Sequence, residues 1–155
     1  MKTLYAFWVL VISFEFVLLL FLFAFFFNGF EIQFFENLKI TRVDDVLKWI
    51  LVLPFGVLAW NLNEARITLS FNGSQVKTIL NWKNYWKFKI HIFVSVFYTC
   101  MFALISIIPW FYFGAEQDPR SIYFFTAGFF GQMIVASSLY FAKLKVFEIL
   151  NRHGA

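Results

Sequence analysis

The chain has 155 residues, 61% of them hydrophobic and 14% charged, with a formal net charge of +4. Soluble domains average about 45–50% apolar and about 25% charged residues, so this composition excludes a soluble globular core and points to a membrane. A single cysteine, Cys100, excludes an intrachain disulfide framework.

A spanning helix needs about 20 mostly apolar residues. The first such stretch is Leu4–Phe27. It begins like a signal peptide (MKTLYAFWVLVISF), but no small-residue cleavage site follows and the apolar run continues, so an uncleaved anchor is expected. Glu15 falls near its midpoint. A charged carboxylate at that depth costs about 2.5 kcal/mol or more, so Glu15 is expected to face the bundle interior or another subunit. Next comes FEIQFFENLK, where Phe30, Phe34, Phe35 and Leu38 recur at helical spacing, as in a short helix lying on the outer interface.

The second span is predicted over 42–62. Thr41-Arg-Val-Asp44 reads as a capping-box-like start, with Asp44 and Asp45 at the positive helix end. Pro54 and Gly56 predict a kink. Residues 63–89 form a connecting loop. Within it, the alternating Ile67, Leu69 and Phe71 before Asn72-Gly73 signal a hairpin. Trp82, Lys83, Tyr85, Trp86, Lys87 and Lys89 then interleave aromatic and basic residues beside a span, as in a belt at the lipid headgroups. Aromatic and basic mixtures also bind nucleic acid, but here they abut a membrane segment, and no direct nucleic-acid binding is expected.

The third span is predicted over 90–113. Ser95, Thr99 and Ser106 share one face, where small hydroxyl residues let a neighbouring helix approach or line a hydrated pore. GAEQDPRS makes a tight turn into the fourth span, 122–142. There Ala127, Gly128 and Gly131 form a small-residue packing face, and Gln132 lies at mid-depth, a natural hydrogen-bond partner for Glu15. That pair is expected to act as a lock between helices or, alternatively, as part of a proton or ion path. The tail 143–155 carries Lys143, Lys145 and Arg152.

Loop charge sets the orientation. Nine of the thirteen Lys and Arg residues fall at the N-terminus, in loop 63–89 or in the tail, and the other two loops are acid-rich. The positive-inside rule places loop 63–89 and both termini in the cytoplasm. The expected architecture is therefore all-α, a single four-helix transmembrane domain over 1–155, in a bacterial inner membrane. Asn72-Gly-Ser74 matches a glycosylation acceptor, but on this topology it faces the wrong side.

Catalytic chemistry finds little support. There is no HExxH, no Cys-x-x-Cys and no Gly-rich phosphate loop, and His91 and His153 stand apart from other ligands. All three aspartates lie in loops, which excludes a paired-aspartate intramembrane protease. No cofactor or metal is expected, and the chain reads as a non-enzyme.

In size, four-span layout and its short basic tail, FAKLKVFEILNRHGA, the chain resembles two groups of small bacterial inner-membrane proteins. One is the membrane subunit of the Kiwa antiphage defence system. That resemblance implies an oligomer that senses infection at the membrane and works with a soluble cytoplasmic DNA-binding partner. The other is the immunity proteins of pore-forming colicins, which would imply recognition of a toxin's helices within the bilayer. A small channel or transporter built around Glu15 is the third possibility. On the first reading the partners are membrane lipid, further copies of the chain, and a soluble protein docking at Arg66, Lys77, Lys143, Lys145 and Arg152.

Overall fold

A computed structural model describes residues 2–28, 52–70, 79–113 and 119–153. Five α-helices lie among them: α1 (Lys2–Ile12), α2 (Phe14–Phe27), α3 (Val52–Leu69), α4 (Tyr85–Phe113) and α5 (Pro119–His153). The predicted outer helix at 30–38, the cap at 41–44, the start of the second span, the Asn72-Gly73 turn, Lys77 and the outer turn at 114–118 lie outside the described residues.

Among the described residues, two helices are long and apolar enough to cross a membrane, over Tyr85–Ile108 and Ser121–Asn151. A third span exists if α1 and α2, bent by 49° at their junction, are taken as one. The described part of α3 is not among them, since its last turns carry Glu64 and Arg66.

The sequence places a kink at Pro54; α3 is continuous from Val52 through Pro54 and Gly56, and the turn before it, where a proline kink falls, lies outside the described residues. An interruption that the sequence reading does not expect falls at Ser13, inside the first predicted span. There a cap explains it. The Ser13 hydroxyl accepts from the Phe16 amide at 3.1 Å, as an N-cap residue does for the third residue of its helix. A serine in an apolar run thus starts a new helix, and Glu15 occupies that helix's first turn.

The expected hairpin is also overturned in part. Ile67 and Leu69 belong to α3, which continues to Leu69. Ala65 and Thr68 are buried on one face of this extension, and tertiary packing at helical spacing overrides the alternating pattern. The tail is not a separate segment either, because α5 continues through it to His153.

Helices α4 and α5 form the central pair. Phe88, Ile92, Ser95, Thr99, Phe102 and Ser106 are buried along α4 at alternating spacings of four and three, and Phe124, Gly128, Gly131, Val135 and Leu139 along α5. Two glycines set their separation. A Cβ on Gly128 would stand 2.6 Å from the Phe102 carbonyl oxygen and would also strike the Ser106 hydroxyl. One on Gly131 would lie 2.6 Å from Cε1 of the Phe102 ring. Lipid gives apolar helix faces no hydrophobic reason to associate, so such close approach is a main source of cohesion. Ala127, expected on the same face, is only half-buried beside it. Helix α3 packs against both α4 and α5, while α1 lies on α4 and α2 on α5.

Candidate functional site

Two polar features occupy the bundle, and they are distinct. The first joins three helices. The Asn61 side-chain amide on α3 donates to the Thr99 hydroxyl on α4 at 3.1 Å and to the Gln132 carbonyl on α5 at 3.3 Å. The Gln132 amide in turn donates to the Pro54 carbonyl at 3.1 Å and to the Thr99 carbonyl at 3.5 Å. All three residues are at most 1% exposed. A hydrogen-bonded network between helices is present, but its members are Asn61, Thr99 and Gln132 rather than the expected Glu15–Gln132 pair. Glu15 makes no hydrogen bond to Gln132, whose amide is directed at α3 and α4 instead. The acceptor oxygens of Asn61 and Gln132 have no hydrogen-bond partner among the described residues.

The second feature surrounds the break at Ser13. Ending α1 leaves the Leu10 carbonyl without its next-turn amide. The Tyr98 hydroxyl of α4 donates to it at 2.6 Å, and the Ser13 hydroxyl at 3.3 Å. Farther along α2, the Tyr123 hydroxyl donates to the Leu22 carbonyl at 3.0 Å. Beside the break is a cleft of about 430 Å³ between α1–α2, α4 and α5. Glu15, His91, Ser95 and Ser138 supply its polar lining, with Trp8, Ile12, Phe14 and Val94 among its apolar walls. Glu15 is 8% exposed and forms no hydrogen bond or ion pair with any described residue.

The three hydroxyl residues of α4, predicted to share one face, thus serve three different neighbours. Ser95 lines the cleft, Thr99 joins the lock, and Ser106 donates to the Phe102 carbonyl at 3.0 Å and the Phe125 carbonyl at 3.4 Å. Thr99 and Ser106 are enclosed by protein, which rules them out as a pore wall within one chain.

The residues expected to form an interfacial belt gather at the start of α4, beside the N-terminal part of α1. The Trp86 and Tyr5 rings meet edge-on at 5.0 Å, and the Lys87 ammonium lies 5.6 Å from the Tyr5 ring and 5.7 Å from Trp86. Lys89 stands over Phe93 at 5.8 Å, and Trp82 packs on Phe88. The Tyr5 hydroxyl reaches His91 Nε2 at 3.2 Å. Lys83 is exposed, and Tyr85 is half-buried against the core.

Among the basic residues expected to dock a partner, Lys143 is engaged within the chain. Its ammonium lies 2.8 Å from the Glu64 carboxylate, with both side chains largely covered. Arg66 and Lys145 are exposed, and Arg152 belongs to the last turn of α5. Neither Asn61, Ser13 nor Tyr98 stands out in the sequence-based reading. Asn61 falls one residue from the predicted span end and passes for a boundary residue, yet α3 carries it into the bundle.

The chain matches no protein family, and comparison with curated proteins and with solved structures gives no match.

Proposed function

We propose that this chain is a non-enzymatic, multi-pass subunit of a bacterial inner membrane, with four spans and both termini in the cytoplasm. It assembles with further copies of itself and docks a soluble protein on its cytoplasmic face. The observation that carries this reading is the length of α5. Its 35 residues rise about 52 Å, against a hydrocarbon core of about 30 Å. If α5 starts at the outer surface near Pro119, its last dozen residues stand beyond the core. The extension of α3 to Leu69 accompanies them, and together they form a two-helix stub tied by Glu64 and Lys143.

The stub has the chemistry of a docking surface. Exposed Ile67, Leu144 and Phe147 lie among the cations Arg66 and Lys145. An apolar centre with a charged rim suits a protein partner that carries acidic residues around an apolar anchor. Resemblance to the Kiwa membrane subunit extends the proposal to antiphage defence, with the membrane chain sensing infection and controlling its partner. The test is affinity purification from the native gene neighbourhood, with and without residues 143–155. A soluble protein retained by the full chain and lost on truncation supports the reading; retention by both, or by neither, opposes it.

A second reading has its own support. A span broken near mid-membrane beside an ionisable residue is the arrangement by which transporters hold ions and charged substrates. Glu15 on the first turn of α2 fits that pattern. Proton- or cation-coupled flux in proteoliposomes, abolished by Glu15→Gln, would favour it.

A further inference from the structure

The cleft beside Ser13 holds a carboxylate, Glu15, that acts on His91 across the cleft but forms no ion pair or hydrogen bond with any described residue. Glu15 is more than nine-tenths buried and forms no ion pair with His91, although both line the same space. His91 Nε2 is already engaged by the Tyr5 hydroxyl, and Ser13 is occupied at both ends as the cap of α2. The positive end of α2 favours negative charge at its first turn, where Glu15 sits. A carboxylate lining a cleft without an ion-pair partner is a place where a cation can be received.

The walls say which cation. A bare metal ion needs several charged or oxygen donors around it, six to eight for calcium, whereas this cleft offers one carboxylate, one histidine and the hydroxyls of Ser13, Ser95 and Ser138 on otherwise apolar walls, and no group of three or more His, Cys, Asp or Glu stands together among the described residues. Its volume of about 430 Å³ falls in the range of organic-ligand pockets, ~300–1,000 Å³. Trp8 and Phe14 bring aromatic rings to the cleft, which suit an organic cation, and both are also exposed on the outside of the described bundle.

We propose that the cleft binds a monovalent organic cation carried on an apolar body, reached from the lipid phase. Glu15 neutralises the charge, while Trp8, Ile12, Phe14 and Val94 cover the body. This site lies in the span and does not depend on the docking reading, so either can fail alone.

Equilibrium dialysis of tetraphenylphosphonium against the detergent-solubilised full chain tests it, with protein-free micelles subtracted. Saturable binding at one site per chain is expected. Glu15→Gln is expected to weaken it by about tenfold or more, and Trp8→Ala by a smaller factor. Binding by Glu15→Gln within about twofold of the parent, or no saturable binding by the parent, overturns the proposal. Should Glu15→Gln fail to fold, the parent chain alone decides the matter. It is expected to prefer tetraphenylphosphonium over neutral triphenylphosphine oxide by about tenfold, and equal binding overturns the proposal.

Discussion

The Tyr98 hydroxyl donates to the Leu10 carbonyl at 2.6 Å across the interface of α4 and α1, at the break between α1 and α2. Ser13 donates to the same oxygen from within the break. A carbonyl released from its helical bond in an apolar setting costs free energy unless it is satisfied, and two donors satisfy this one. The bend is thereby built into the packing of α1 on α4.

Tyr98→Phe and Ser13→Ala should each lower stability by about 1 kcal/mol, because either donor partly covers for the other. Removing both leaves Leu10 with neither donor, and the double variant should lose more than the sum of the two. Reversible unfolding in mixed detergent micelles measures all three. Simple additivity would mean that the two donors act separately.

A second double-mutant cycle distinguishes the observed lock from the one expected on sequence. Asn61→Leu and Gln132→Leu should be coupled by about 0.5 kcal/mol or more, as residues of one network are. Glu15→Gln and Gln132→Leu should show no coupling beyond about 0.3 kcal/mol. Coupling in the second cycle would restore the Glu15–Gln132 contact that the structure lacks.

Glycine substitutions should split by location. Gly128→Ala and Gly131→Ala drive a Cβ into Ser106 and Phe102, and each should cost about 1–3 kcal/mol by forcing α4 and α5 apart. Gly56 has nothing within 4 Å of its would-be Cβ. Gly56→Ala should therefore stabilise α3 by about 0.5–1 kcal/mol through helix propensity. Thermal unfolding in detergent, followed by circular dichroism, reads both signs.

The pair Glu64–Lys143 ties the ends of α3 and α5. Lys143→Ala should cost about 1–2 kcal/mol, between the values for exposed and buried pairs, since both side chains are only partly screened. Glu64→Lys should cost more through like-charge repulsion, and adding Lys143→Glu should recover part of the loss. No recovery in the exchanged pair would show that the contact is incidental.

Some of this was legible in the sequence and some was not. Apolar length alone finds α4 and α5, because a buried or lipid-facing helix must be apolar over its whole run. The glycine face of α5 is likewise visible, since small residues at helical spacing have few other uses in a membrane helix. The break at Ser13 is hidden because one serine in an apolar run reads as a minor exception, and its capping role appears only with Phe16 and Tyr98 in place. Asn61 is missed because the span was ended by hydropathy at Leu62, whereas α3 continues to Leu69. Gln132 and Glu15 match in depth along their helices, but depth does not reveal which face a side chain takes.

We propose the docking of a soluble partner on the stub that α3 and α5 form in an oligomeric membrane subunit. Its most direct test is the mass of the complex purified in mild detergent or nanodiscs from the native gene neighbourhood. The account predicts a homo-oligomer carrying a soluble protein that is released when residues 143–155 are removed. A lone monomer with no companion would contradict it.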